Sequence, residues 1–149
     1  MNRLIIRPLK EDDYEKWLPL WDGNNLGQRD DAVTASTWAR LCNPDNHMVN
    51  GLCAEMGDDF CGITHYILHN TTGQLNPVCY MQDVYVDPPH RRRGIGRRLV
   101  NRITEIGKEE EWARLYWLTQ EGNLEAKAMY ENFGIKLDFT FYVLPITQS

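Results

Sequence analysis

No lysine or arginine occurs between residues 41 and 90, a stretch that nevertheless holds Asp45, Glu55, Asp58, Asp59, Asp83 and Asp87. A nucleic-acid surface would spread basic residues over a face with aromatic partners. A formal charge of −5 and this long cation-free gap speak against that role. Apolar runs are short as well: none nears the roughly 18–20 residues of a membrane-spanning helix. The opening residues, MNRLIIRPLK, lack the apolar core and small-residue cleavage site of a secretory leader. Cysteine is scarce and scattered. Cys42, Cys53, Cys61 and Cys79 form no C-x-x-C pair and no metal-ligand pattern, so reduced core thiols in a cytoplasmic protein are expected, with no metal and no membrane partner. Internal repeats and low-complexity segments are lacking too.

What is present fits one domain of 149 residues. At this size folding buries roughly 70% of the unfolded surface, enough for an independent core. Hydrophobic content of 42% and charged content of 25% are ordinary. The positive charge is concentrated: Arg91, Arg92, Arg93, Arg97, Arg98 and Arg102 crowd one short stretch. One part of the fold should therefore attract anions and another cations.

The periodicity gives a first strand at RLIIRPL and a helix over EDDYEKWLPLW, whose second half Pro19 puts in question. A second short helix follows at TASTWARLC, stopped by NPDN. The period then changes to two, giving strands at VNGLCAEM, DFCGITHYIL and VCYMQDVYV. A helix from about Gly94 to Glu111 carries Ile95, Leu99, Ile103 and Ile106 on one stripe. A strand at RLYWLT, a helix at NLEAKAMYENFG and a closing strand at KLDFTFYVLP complete the order βααβββαβαβ. That order is an α/β fold with one mixed, mostly antiparallel sheet and helices packed on both faces.

The stretch PPHRRRGIGRRLV, residues 88–100, carries the chemistry. A helix start leaves backbone N–H groups without partners and concentrates about half a positive charge, which makes an anion socket. Gly94 and Gly96 let backbone approach the anion without a Cβ in the way. The arginines at 91, 92, 93, 97 and 98 add charge-assisted contacts. A pyrophosphate suits such a socket. The stretch is not a Walker loop, which needs G-x-x-x-x-G-K-[ST], and it lacks the third glycine of a dinucleotide fingerprint. A solvated arginine turn, with glycines that only cap the helix, remains the alternative on this stretch alone.

Arg91-x-x-Gly94-x-Gly96, preceded by a strand ending VYV, resembles the acetyl-CoA-binding motif of the GNAT acyl-CoA N-acyltransferase superfamily. WLTQEGNLEAKAMYENFG resembles the strand and helix that follow it in that family, with Asn123, Ala126, Tyr130 and Gly134 at matching spacing. The likeness is close from Tyr80 to Gly134, and strongest to the polyamine (diamine) and histone-type branch. It implies a single acetyltransferase domain: an acceptor-side half over 1–79, an acetyl-CoA core over 80–134 and a C-terminal strand over 135–149. It implies acetyl-CoA as co-substrate, with Val84, Tyr85 and Val86 along the pantetheine arm and Arg91, Arg92, Arg93, Gly94, Ile95, Gly96, Arg97 and Arg98 around the phosphates. Asn123, Ala126 and Tyr130 would complete that surface.

The implied reaction is direct acetyl transfer to a primary amine of a small cationic acceptor such as a polyamine or diamino acid. Protein or peptide amines, or a CoA-binding regulatory module without turnover, are the alternatives. The resemblance makes Tyr130 the general acid for the departing thiolate; on its helix alone, a core aromatic is the simpler reading. A carboxylate can take the amine's proton directly or through water, and Asp83 and Glu55 are the candidates in the cation-free stretch; a water chain, or an amine that arrives neutral, is the alternative. The diamine branch carries a glutamate where this chain has Gln82, which leaves the base open. Strand alternation would put Gln82 and Asp83 on opposite faces. Trp21, Asn24 and Asn25 fall where the family's acceptor loops lie, and the exposed aromatic C-terminal strand invites pairing into a homodimer.

Overall fold

A computed structural model describes residues 3–147. The chain forms two compact units, Met1–Leu118 and Thr119–Ser149. The first holds β1 (Leu4–Pro8), a 3-10 turn (Glu11–Asp13), α1 (Tyr14–Asn24), α2 (Asp31–Cys42), β2 (Val49–Met56), β3 (Asp59–His69) and β4 (Val78–Val86). A second 3-10 turn (Pro88–His90), α3 (Ile95–Glu109) and β5 (Leu115–Tyr116) follow. The second unit holds α4 (Leu124–Tyr130). The sheet runs β1-β2-β3-β4-β5 with antiparallel neighbours except the last pair, which is parallel. It is the single mixed, mostly antiparallel sheet that the sequence predicts.

Alternation along β3 divides the helices between its faces. Ile63 joins Trp17, Leu20 and Trp21 of α1 in one apolar cluster with Leu9, Cys53 and Phe60. Its neighbour Gly62 points the other way. A Cβ there would stand 3.3 Å from both Ile95 and Leu99 of α3 and 3.1 Å from the Tyr85 carbonyl, so a glycine lets α3 lie close to the sheet. Ile95, Leu99, Val100 and Ile103 are the buried stripe of α3.

Pro19 sits inside α1 without ending it. A mid-helix proline costs about 3 kcal/mol. Burial of a large apolar side chain returns about 1.5–3 kcal/mol, and Trp17, Leu20 and Trp21 are all buried on this helix. Trp17 stacks on Trp21 with ring centroids 5.0 Å apart. Packing therefore outweighs the local break.

The closing strand predicted over residues 136–145 does not form among the described residues. A strand needs a ladder partner for its backbone groups. Thr119–Ser149 contains α4 and no second strand among its described residues. Phe139, Phe141, Tyr142, Val143, Leu144 and Ile146 accordingly remain exposed. β5 is also shorter than RLYWLT suggested, pairing with β4 only at Cys79–Leu115 and Tyr80–Tyr116.

Candidate active site

The β3–β4 ladder slips by one residue. Asp83 faces His65 and Met81 faces Tyr66, so Gln82 is the inserted residue of a β-bulge. The simple alternation expected for Gln82 and Asp83 is broken here. Gln82 is exposed, while the Asp83 carboxylate turns to His65, with Oδ2 2.9 Å from Nδ1. Oδ1 accepts a hydrogen bond from Asn24 Nδ2 of α1 at 3.0 Å. The Asp83 carbonyl accepts from Thr64 Oγ1 at 2.7 Å, which fixes the strand at this point. Burial works to raise the Asp83 carboxyl, but its hydrogen-bonding and electrostatic contacts with His65, joined by the hydrogen bond from Asn24, outweigh it and hold the group below the ordinary carboxylate range.

Beside Asn24 lies an open cleft of about 390 Å³ between the end of α1 and the start of α2. Trp21, Asn25, Leu26, Gln28, Asp30, Val33 and Thr34 complete its wall. Trp21 Nε1 donates to Thr34 Oγ1 at 2.8 Å, which orients the indole and joins the two helices. Leu26 and Gly27 turn the chain in the left-handed region, with φ of 58° and 76°. Asp30 caps α2 by accepting from Val33 N–H at 3.1 Å. The wall has a carboxylate and no lysine or arginine. The nearby Arg29 is held by Asp22, its Nε 3.0 Å from Oδ1.

Glu55, the other carboxylate expected near the amine, is engaged elsewhere. Arg7 reaches its two oxygens at 3.3 and 3.2 Å, and Lys16 lies 3.8 Å away. Arg7 also forks onto Asp13 at 2.8 and 3.0 Å. This cluster ties β1 and β2 to the first turn of the chain and leaves the Glu55 charge already matched.

On the far side of the bulge, β4 is open along one edge. Asp87 N–H donates to the Cys61 carbonyl, on the β3 side. Alternation then points the backbone groups of Val84 and Val86 away from β3. Among the described residues up to Leu118 no strand pairs with them there, because β5 stops at Tyr116. Such an edge is suited to a ligand that pairs like an added strand. Arg91 makes a contact within the chain. Its Nε donates to the Val86 carbonyl at 2.8 Å and its guanidinium lies 5.3 Å above the Tyr85 ring. The first arginine of the motif thus braces the strand end through Nε, and the Val86 N–H stays on the open edge.

Gly94 is the N-cap of α3 with φ 77° and no side-chain cap. A Cβ there would meet nothing within 4 Å, so the approach to the helix start is unobstructed. Arg92, Arg93, Arg97 and Arg98 are exposed around it, whereas Ile95 is buried and anchors the helix. Uncapped N–H groups, a clear approach and flanking arginines fit the diphosphate of acetyl-CoA. In the second unit, Asn123 caps α4 by accepting from Ala126 N–H at 3.1 Å. Tyr130 ends that helix half-buried, and burial pushes its phenol above the ordinary value.

Sequence reading missed His65 and Trp17. The signal was faint: one histidine inside the otherwise apolar run CGITHYIL.

An anion cradle after an open-edged strand, with a held carboxylate on that same strand, defines an acyl-CoA-dependent transferase. The chain belongs to the acetyltransferase (GNAT) family, whose sequence profile matches residues 8–135, and its class of reaction is acetyl transfer from acetyl-CoA to nitrogen. It is 29% identical over 146 residues to the D-amino-acid N-acetyltransferase HPA3 of Saccharomyces cerevisiae, covering 95% of this chain and 90% of that one. It is 29% identical over 89 residues to the thialysine N-epsilon-acetyltransferase of Caenorhabditis elegans, covering 58% of this chain and 54% of that protein. The fold is shared with aminoglycoside N-acetyltransferase AAC(6')-Iy, solved in complex with CoA, at TM-score 0.83, 17% identity and coverage of 99% and 97%. A ribosomal-protein-alanine N-acetyltransferase from Brucella melitensis superposes at TM-score 0.81 with 17% identity, covering 97% of this chain and all of that one. Among the described residues no helix is long and apolar enough to cross a membrane.

Proposed function

We propose that the protein acetylates a primary amine of a small acceptor that also carries positive charge, such as a diamino acid or polyamine. The observation that carries this reading is the hydrogen-bonded Asp83 carboxylate beside a cleft whose wall holds an acid and no base. Relatives that act on D-amino acids and on thialysine support a small amine acceptor.

Acetyl-CoA supplies an activated acyl carbon, and the chain's residues do the rest. The start of α3 and its arginines hold the diphosphate, and the open edge at Val84 and Val86 aligns the pantetheine arm. Fixing both partners in this way replaces a bimolecular encounter by an oriented one. A backbone N–H at this edge donates to the carbonyl oxygen as it gains charge; losing such a donor typically costs about 10²–10³ in rate. Asp83 and Asn24 draw in the acceptor's charged nitrogen, which leaves its other amine to attack. As the C–N bond forms and the C–S bond breaks, the amine loses one proton and the thiolate gains one, with Tyr130 as the proposed donor to sulfur. The family profile spans both compact units, which supports one catalytic domain. We also propose a cytoplasmic homodimer: all four cysteines are unpaired, and the exposed apolar residues after Gly134 offer a self-pairing surface.

Release of free thiol from acetyl-CoA, measured with a panel of amines, tests the reading. Turnover with lysine-like or polyamine acceptors is expected. Turnover only with protein substrates, or CoA binding with no thiol release on any amine, overturns it.

A further inference from the structure

The Asp83 site has a second layer that the proposed reaction does not by itself require. Trp17 Nε1 donates to His65 Nε2 at 3.0 Å. An indole N–H is a donor only, so Nε2 must present its lone pair. The ring proton then sits on Nδ1, which faces Asp83 Oδ2 at 2.9 Å. With Nε2 sealed by an indole, His65 cannot shuttle protons to a substrate. It can only hold what lies on its other side.

The consequence falls on Asp83. Both of its oxygens face donors, the His65 Nδ1–H and the Asn24 amide. Each oxygen keeps a further lone pair, but a proton on either would weaken the bond that oxygen accepts. The two donors therefore favour the carboxylate over the neutral acid. Trp17 and His65 are themselves fixed: both are buried, Trp17 stacks on Trp21, and the imidazole stands edge-on to both indoles with centroids 6.0 and 5.7 Å away. Gly51 of β2 closes the remaining side, where an added Cβ would stand 3.4 Å from the His65 ring.

We infer that Trp17 and His65 are positioning residues that hold Asp83 as an anion at neutral pH, so that Asp83 selects acceptors by positive charge and does not take up the amine's proton. This rests on the reading of Asp83 as the acceptor-facing carboxylate and deepens it. Asp83 recognises the acceptor's second, charged nitrogen as an ammonium; the attacking nitrogen reacts as the neutral amine, and the one proton it loses as the C–N bond forms passes to water. The acid wall of the cleft at Asp30 extends the same preference.

The first test needs no variant. Nitrogen-15 NMR of the histidine-labelled full chain at neutral pH should show His65 with Nδ1 protonated and Nε2 bare. An Nε2-protonated ring, or an imidazolium, overturns the inference. A second test uses kinetics. His65→Leu should raise KM for a cationic amine at least tenfold, with acetyl-CoA affinity unchanged. His65→Asn, whose amide nitrogen stands where Nδ1 stood, should regain most of that loss. Equal defects in the two variants, or a matching loss of acetyl-CoA binding, mean that His65 is only a core residue. If wild-type protein releases no thiol with any amine while the NMR shows the expected tautomer, the proposed reaction fails and the held carboxylate stands. An active enzyme with the other tautomer fails the inference alone.

Discussion

Asp83 carries more constraint than any other carboxylate described at the site, because three side chains and one bulge agree on where it sits. Its folded-state acidity is strengthened, so the stability it contributes is full above the unfolded-state pKa of about 3.9 and is lost as pH falls through the lower folded value. Asp83→Asn should therefore melt below wild type from neutral pH down to about 4, with the gap closing in more acidic buffer; melting temperature against pH reads this directly. Asp13, held low by its bond from Arg7, follows the same rule. Tyr130 moves in the opposite direction, since burial keeps its phenol protonated past the ordinary value. Tyr130→Phe should lower turnover by about 10²-fold, the lower end of general acid contributions, while the dissociation constant of acetyl-CoA stays put. Parallel loss of binding and melting temperature would make Tyr130 a packing residue.

At the scale of elements, the strand–turn–helix from β4 to α3 was legible because each part declares itself locally. VCYMQDVYV alternates, prolines stop it, and glycines open a helix whose apolar stripe repeats with helical period. What was hidden depends on neighbours far along the chain. The bulge at Gln82 exists only in the pairing with β3, and the Trp17–His65–Asp83 chain joins residues forty-eight and eighteen positions apart. Glu55 looked available for the same reason: nothing local reveals that Arg7 and Lys16 reach it. Pro19 misled in the other direction, since a local breaker yields to aromatic packing that local sequence does not weigh. The cap of α3 gives this scale its own test. Gly94→Val puts a β-branched residue at φ 77°, costing about 1–3 kcal/mol in strain, and lines the diphosphate approach with methyl groups. Acetyl-CoA affinity should fall at least tenfold by calorimetry, with the secondary-structure spectrum retained; unchanged affinity would remove α3 from the binding account.

For the whole molecule, the proposed dimer rests on the segment after Gly134. Ile135, Leu137, Phe139, Phe141 and Val143 recur at every second position and are all exposed. A run of this kind, unpaired, is an aggregation hazard unless something covers it. A second copy of the same run is the proposed cover. Sedimentation should find a dimer, and Phe139→Asp with Phe141→Asp should yield a monomer that still melts cooperatively; a monomeric wild type rejects the proposal.

The sheet itself is left one rung short, since β5 accompanies β4 for two residues and then departs. On the proposed reading, coenzyme completes that edge. In heavy water the amide hydrogens of Val84 and Val86 should swap rapidly in the empty protein and slow markedly once the slot is filled. Coenzyme at a hundred times its dissociation constant would add about 2.7 kcal/mol to the folded state. In a cell whose acyl-carrier pool rises and falls, the lifetime of this protein would then rise and fall with it.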